Sequence, residues 1–281
     1  MDANVTYRLR KSYAFKGIVI LLSVTCIVPL LFILGYIVRE GVTKINWELL
    51  VNLPKPVGEA GGGIANALAG SILIVLIAAV IAIPFGVMSG IYLNEHRNNR
   101  LSRWTAIAVD VLQGTPSIVV GIVIYFWLVK PLKTFSAISG SVALAIMMLP
   151  IVIRSTEETL KLLPSTLKEA GLALGLPYHK VILKIILPCG IGGVVSGIIL
   201  AIARIAGETA PLLFTAFGNP FFSVNVLKPM ESLPHLVYYY AMSAYDDWHN
   251  LAWGAALVLL IWVLLLNIIT KITTRKWKIQ F

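Results

Sequence analysis

The chain has 281 residues, of which 58% are hydrophobic and 13% charged; 23 Lys and Arg against 13 Asp and Glu leave a net charge of +10. Soluble domains carry roughly 25% charged residues, so this composition excludes an ordinary water-soluble domain and points to an all-α integral membrane protein. The basic residues lie in loops between apolar runs, which assigns the positive charge to membrane topology and not to nucleic-acid binding.

Six apolar runs read as spans: Gly17–Val38, Gly70–Leu93, Trp104–Val129, Ser139–Ile153, Cys189–Gly207 or beyond, and Leu251–Thr270. The first follows a tail over 1–16, is about as long as a full span, and lacks a small-residue cleavage site, so it reads as a helix and not as a removable signal. A loop over 39–65 separates it from a domain over 66–270, and 271–281 form a second tail. The fourth run is short at its apolar core and is expected to extend into its flanks. With the N-terminus inside, sixteen Lys and Arg fall in inner segments and six in outer ones, which places both termini in the cytoplasm. Gly86-x-x-x-Gly90 and Gly193-x-x-x-Gly197 would let helices approach closely. Trp248, Trp253 and Trp277 have the character of interfacial anchors.

Cys26 and Cys189 form no disulfide framework, and His96, His179, His235 and His249 form no ligand set, so no metal is expected. No H-E-x-x-H, G-x-S-x-G or G-x-x-x-x-G-K-[ST] occurs, so neither a membrane hydrolase nor an ATP-binding loop is indicated. A secondary transporter would commonly show inverted repeats, and none is evident.

Arg204 stands inside an apolar run. A charge there costs roughly 2.5–3.5 kcal/mol on insertion scales, so it marks a site. A guanidinium can bind an oxyanion through paired N–H donors, which suits an anion path. Glu208, four residues on, is expected on the same helix face. The two then either serve the path or form only an intramembrane ion pair. Pro211 should break the fifth span, and Leu212–Phe217 is apolar enough to continue it. Gln113, Thr115 and Ser117 flank Pro116; they either line a path or satisfy backbone groups that the proline frees. Asp110 should pair with a basic residue of another helix. Arg154, Glu157 and Glu158 stand where the fourth span ends, as a solvated helix end or, second, as a contact to a partner subunit.

The inner loop from Arg154 to Pro188 carries the most specific pattern. Pro164 opens a short helix, Thr166 and Glu169 have capping-box spacing, Leu167, Ala170, Ala173 and Leu174 give an apolar face, and Gly175 and Pro177 end it. Glu169-Ala170-Gly171-Leu-Ala-Leu-Gly175, nine residues, then Ile185-x-Leu187-Pro188 resembles the EAA loop of ABC importer permeases, with Gly171 in place of the second Ala. That small residue should still fit a tight groove. The run Ala201 to Ala216, with Leu112 to Gly121 and Leu149 to Glu158, further resembles the PstA family of phosphate-importer permease subunits.

This resemblance implies a type I (MetI-like) permease fold. It implies that Lys168, Glu169, Ala170, Gly171 and Gly175 belong to a coupling helix seated in an ATPase cleft, and that Arg204, Glu208 and Thr115 belong to the substrate path. It further implies a PstC-like sister permease, a PstB-like ATPase dimer that binds ATP and Mg, so that this chain holds no cofactor, and a PstS-like phosphate-binding protein. A sulfate or molybdate permease, or the sister phosphate permease, is the alternative within importers.

Overall fold

The computed structural model describes residues 3–59 and 61–276. The helices are α1 (Ala3–Val42), α2 (Trp47–Val51), α3 (Ala65–Glu95), α4 (Arg100–Gly114), α5 (Ser117–Ile124), α6 (Lys130–Leu132), α7 (Ala137–Lys161), α8 (Ser165–Ala173), α9 (Tyr178–Val181), α10 (Leu187–Ile205), α11 (Ala210–Leu213), α12 (Leu233–Ala241) and α13 (Asp246–Lys276). Single π-helical turns, Tyr125–Val129 and Ile182–Ile186, link α5 to α6 and α9 to α10. Among the described residues, five helices are long and apolar enough to cross a membrane, or six if the bent pair Arg100–Gly114 and Ser117–Leu132 is counted as one span.

That pair corrects the sequence reading. The third run is not one helix: its halves meet at 105°. A proline disfavours α geometry in the residue before it, and Thr115 is extended at φ −74, ψ 129. The fourth span does extend, to Lys161. The fifth does not continue as a helix to Phe217. It ends at Ile205, resumes for one turn as α11, and turns again at Phe217 and Gly218, both with positive φ. The first helix begins at Ala3, so it takes in part of the 1–16 stretch.

The core is built around α7. Ala78 and Ala82 of α3, Leu144, Met148 and Val152 of α7, and Ala201 and Ile205 of α10 are buried together. Both glycine pairs face α7. A Cβ on Gly90 would stand 2.6 Å from the Thr156 Cβ, and one on Gly193 would stand 2.4 Å from the Thr159 Cγ2. Only a residue without a side chain lets the backbones come this close, and in lipid such van der Waals packing replaces the hydrophobic effect as the cohesive force.

A second core joins Leu251, Ala252 and Ala255 of α13 to Leu49, Ile64, Leu233 and Leu236. α1 meets α13 near its C-terminal end, where Tyr36 packs edge-on against Trp253 at 5.2 Å. Trp248 stacks on Tyr240 at 4.6 Å, so both tryptophans pack against protein. Trp277 lies outside the described residues.

The first N–H groups of α7 have no intrahelical acceptor. The 215–228 segment supplies acceptors: Ala137 N donates to Lys228 O at 3.1 Å and Ile138 N to Val226 O at 3.0 Å. Ser139 N donates to the Ser136 hydroxyl at 3.2 Å. This long loop is thereby fastened to the start of the central helix.

Candidate functional site

The first candidate region is where two spans break. Val111 O would normally accept from the amide of Thr115; instead it accepts from the Thr115 hydroxyl at 2.7 Å. The Thr115 amide donates to Leu112 O at 3.3 Å. The hydroxyl is thus engaged with backbone that the break at Pro116 releases, as a residue in this position can be. Beyond the break, α5 approaches α11 closely: a Cβ on Gly121 would stand 2.8 Å from the Pro211 Cα. The broken third and fifth spans therefore meet near their interruptions.

Arg204 occupies the last turn of α10, where a cation is favoured by the partial negative charge of the helix end. It is exposed on this chain. The expected same-face arrangement with Glu208 does not form. The helix ends at Ile205 and Glu208 lies beyond the turn Ala206–Gly207, so the i,i+4 geometry is lost. No ion pair joins Arg204 to Glu208 among the described residues. An exposed guanidinium at the interrupted end of its own span, with no hydrogen-bond partner among the described residues, can take an oxyanion if another surface closes over it.

Asp110 finds its partner in Arg154. Arg154 Nη2 lies 2.5 Å from Asp110 Oδ1 and donates to Ala106 O at 3.2 Å, while Nη1 donates to Glu157 Oε2 at 2.8 Å. One guanidinium therefore ties α4 to α7. Glu157 is not simply a solvated helix end: its side chain is mostly buried against Arg154.

The second region is the 154–188 loop. Pro164, not Thr166, stands at the N-cap of α8, and it has no side-chain oxygen to offer. With Thr166 already helical, the capping box does not form. The other end is as read: Gly175 sits at φ +75, its amide donates to Leu172 O at 2.9 Å, and the Leu176 amide donates to Gly171 O at 3.4 Å. This is the Schellman closure that a left-handed glycine permits.

The apolar face divides differently from the sequence reading. Leu167 packs inward with Val181, Ile182 and Ile186. Ala170, Ala173 and Leu174 are exposed, Leu174 by 80%, and so is Leu162, by 84%. Glu169 and Gly175 are exposed as well. Gly171 is buried, and the groove it fits is this chain's own: a Cβ there would stand 2.9 Å from Ile185 Cδ1 and 3.1 Å from Val181 Cγ1.

Lys168 also turns inward. It ion-pairs with Glu95 at the end of α3 and donates to the Tyr178 hydroxyl at 2.8 Å. The Tyr178 hydroxyl in turn donates to Glu95. Burial works to lower the lysine pKa, but the hydrogen bonds and charge of Glu95 and the bond to Tyr178 outweigh it, so Lys168 is held above its ordinary value and stays charged near neutrality. Glu95 and Tyr178 were not singled out from the sequence. They lie 73 and 10 residues from Lys168, and no spacing rule links such positions.

A family model described as binding-protein-dependent transport system inner membrane component matches residues 82–279. The chain is 43% identical to the phosphate transport system permease protein PstA of Yersinia pestis, over 99% of this chain and 97% of the relative. It is 40% identical to the protein of the same name from Pasteurella multocida (strain Pm70), over 86% of this chain and 87% of the relative. Among solved structures it resembles the MetNI methionine ABC transporter in an inward-facing conformation, with a TM-score of 0.65, 18% identity, and coverage of 76% of this chain and 95% of that one. The structural likeness establishes the fold.

Proposed function

The chain belongs to the family of binding-protein-dependent transport system inner membrane components, and from that premise we propose that it is the permease subunit of an ATP-driven importer of inorganic phosphate. The observation that carries the site assignment is Arg204: an exposed arginine at the end of a spanning helix, where the chain unwinds. A charge costs too much there to be left facing lipid. In the assembled importer a PstC-like sister permease covers this face and completes the path.

Phosphate carries one to two negative charges near neutrality, and the guanidinium replaces part of its hydration with directed N–H donors. Glu208, on the adjacent unwound segment, lowers the net positive field, so the anion is bound weakly enough to leave. The Thr115–Pro116 break shapes the same region. The exposed face of α8, with Glu169, Ala170, Leu174 and Gly175, seats in a PstB-like ATPase dimer that binds ATP and Mg. A PstS-like protein delivers phosphate from the other side. Both termini are cytoplasmic, in a bacterial plasma membrane, and this chain performs no chemistry of its own.

The test is ATP-driven uptake of labelled phosphate into proteoliposomes that hold the full complex, comparing wild type with Arg204→Lys. Lysine keeps the charge and loses the paired donors. Loss of uptake with assembly and basal ATP hydrolysis intact is expected; unchanged uptake removes Arg204 from the path. A wild type that moves sulfate or molybdate and not phosphate would overturn the substrate assignment while leaving the permease reading in place.

A further inference from the structure

The Glu95–Lys168–Tyr178 cluster has a consequence for how force crosses the protein. α8 has nine residues, and a helix that short is marginal alone in water. Its position must come from what it is fastened to. Gly171 seats it against Val181 and Ile185, which continue directly into α10. Lys168 fastens it to Glu95, the last residue of α3.

Glu95 is poorly placed without a cation. Its side chain is only 6% exposed, and it stands at the negative end of a helix of 31 residues, where a carboxylate is disfavoured. Three side chains converge on it: Asn94 Nδ2 donates to Oε1 at 3.1 Å, while Lys168 and Tyr178 donate to Oε2. Lys168 also lies over the Tyr178 ring, 4.6 Å from its centroid. The cluster therefore joins α3, α8 and α9, three elements with no other charged link among the described residues.

We propose that Glu95, Lys168 and Tyr178 are positioning residues that latch α8 to α3, so that a displacement of α8 is delivered to α3 as well as to α10. α3 and α10 are the two helices whose glycine pairs close on α7. With the latch in place, both sides of the central helix receive the stroke together. With it open, α8 would follow α10 alone. In this arrangement Lys168 serves the permease's own interior, and Glu169, Ala170 and the exposed leucines are left for the ATPase. The inference rests on the importer function proposed above.

The experiment uses the full complex in proteoliposomes with Glu95→Gln, Lys168→Gln, and the reversed pair Glu95→Lys with Lys168→Glu. Three quantities are read: ATPase retention, phosphate moved per ATP hydrolysed, and amide exchange over residues 165–176. For Glu95→Gln we expect full retention, a transport-to-hydrolysis ratio about tenfold lower, and exchange about tenfold faster, with the reversed pair recovering most of both losses. A role confined to folding would lower the amount of assembled complex and leave the phosphate moved per ATP by that complex unchanged, so the ratio separates it from a latch. An unchanged ratio and exchange in Glu95→Gln overturn the latch, as does loss of the ATPase in Lys168→Gln that Glu95→Gln does not reproduce. A wild-type complex that hydrolyses ATP and moves no phosphate refutes the substrate reading instead; the latch is then decided by the exchange measurement alone.

Discussion

Replacing Gly197 by alanine should part the two central helices. Gly197 is buried in α10, and a Cβ there would stand 2.0 Å from the Ser155 Oγ and 2.3 Å from the Ser155 Cβ of α7. The hydroxyl can rotate away, but the Ser155 Cβ is fixed to its backbone. Carbon atoms pack at about 3.5–4.0 Å, so the helices must separate locally by about 1.2–1.7 Å. Overpacking costs about 1–3 kcal/mol; because the Ser155 Cβ cannot rotate away, the cost here lies in the upper part, about 2–3 kcal/mol, and alanine returns about 1 kcal/mol of helix propensity over glycine. The net expectation is a loss of about 1–2 kcal/mol. It is read from denaturant unfolding of the purified protein in mixed micelles, followed by tryptophan fluorescence. Ser155→Gly removes the obstructing atoms, so the double variant Gly197→Ala with Ser155→Gly should recover about 1–2 kcal/mol relative to the sum of the single changes. The reasoning fails if Gly197→Ala is as stable as wild type, or if the two changes add within about 0.5 kcal/mol.

Arg154→Gln removes the common partner of Asp110 and Glu157. Because Glu157 is left mostly buried, the loss should approach the lower end of about 3–5 kcal/mol, seen as a fall in thermal midpoint; Arg154→Lys should retain part of it. Gly175→Ala forces a Cβ into a left-handed conformation at φ +75, at a cost of about 1–2 kcal/mol. Faster amide exchange confined to 165–176 is the expected sign, and uniform protection would show that the closure is dispensable. Pro116→Ala lifts the restriction on Thr115, so the 105° bend is no longer imposed locally; phosphate uptake should fall while ATPase retention is unchanged, and normal uptake would show that packing alone holds the bend. Tyr240 is pushed up to about 12, first by burial and then by the charge of Glu231. Its folded pKa lies above its unfolded value, so this contribution to stability is present below about pH 10 and is lost as pH rises toward 12. Tyr240→Phe should flatten stability against pH in that window and remove one late component from the phenolate absorbance titration.

Much of this protein was legible from local chemistry. The apolar runs locate the spans, because each segment's preference for lipid over water is a property of that segment alone. Arg204 announced itself by the same rule, since a charge in an apolar run is conspicuous without any partner. The pattern of the 154–188 loop marked a short helix there, and Gly175 marked its end, because a left-handed closure is a requirement of single residues. Pro116 was visible as a perturbation, but not the size of its bend: a proline interrupts the helix, and neither the 105° between its halves nor the close approach of Gly121 to Pro211 is written in the local sequence.

Partnership was decided only in three dimensions. The same-face pairing of Arg204 with Glu208 assumed that α10 continues, and it stops at Ile205. Asp110 meets Arg154 from 44 residues away, and Lys168 meets Glu95 from 73. Gly171 read as fitting a partner's groove and instead fills one formed by Val181 and Ile185. Sequence spacing governs which residues share a helix face, whereas contacts between helices depend on how closely and at what rotation they pack. Glycines on α3 and α10 bring those helices against α7, so the residues that meet across those two seams are chosen by backbone approach and not by position in the chain.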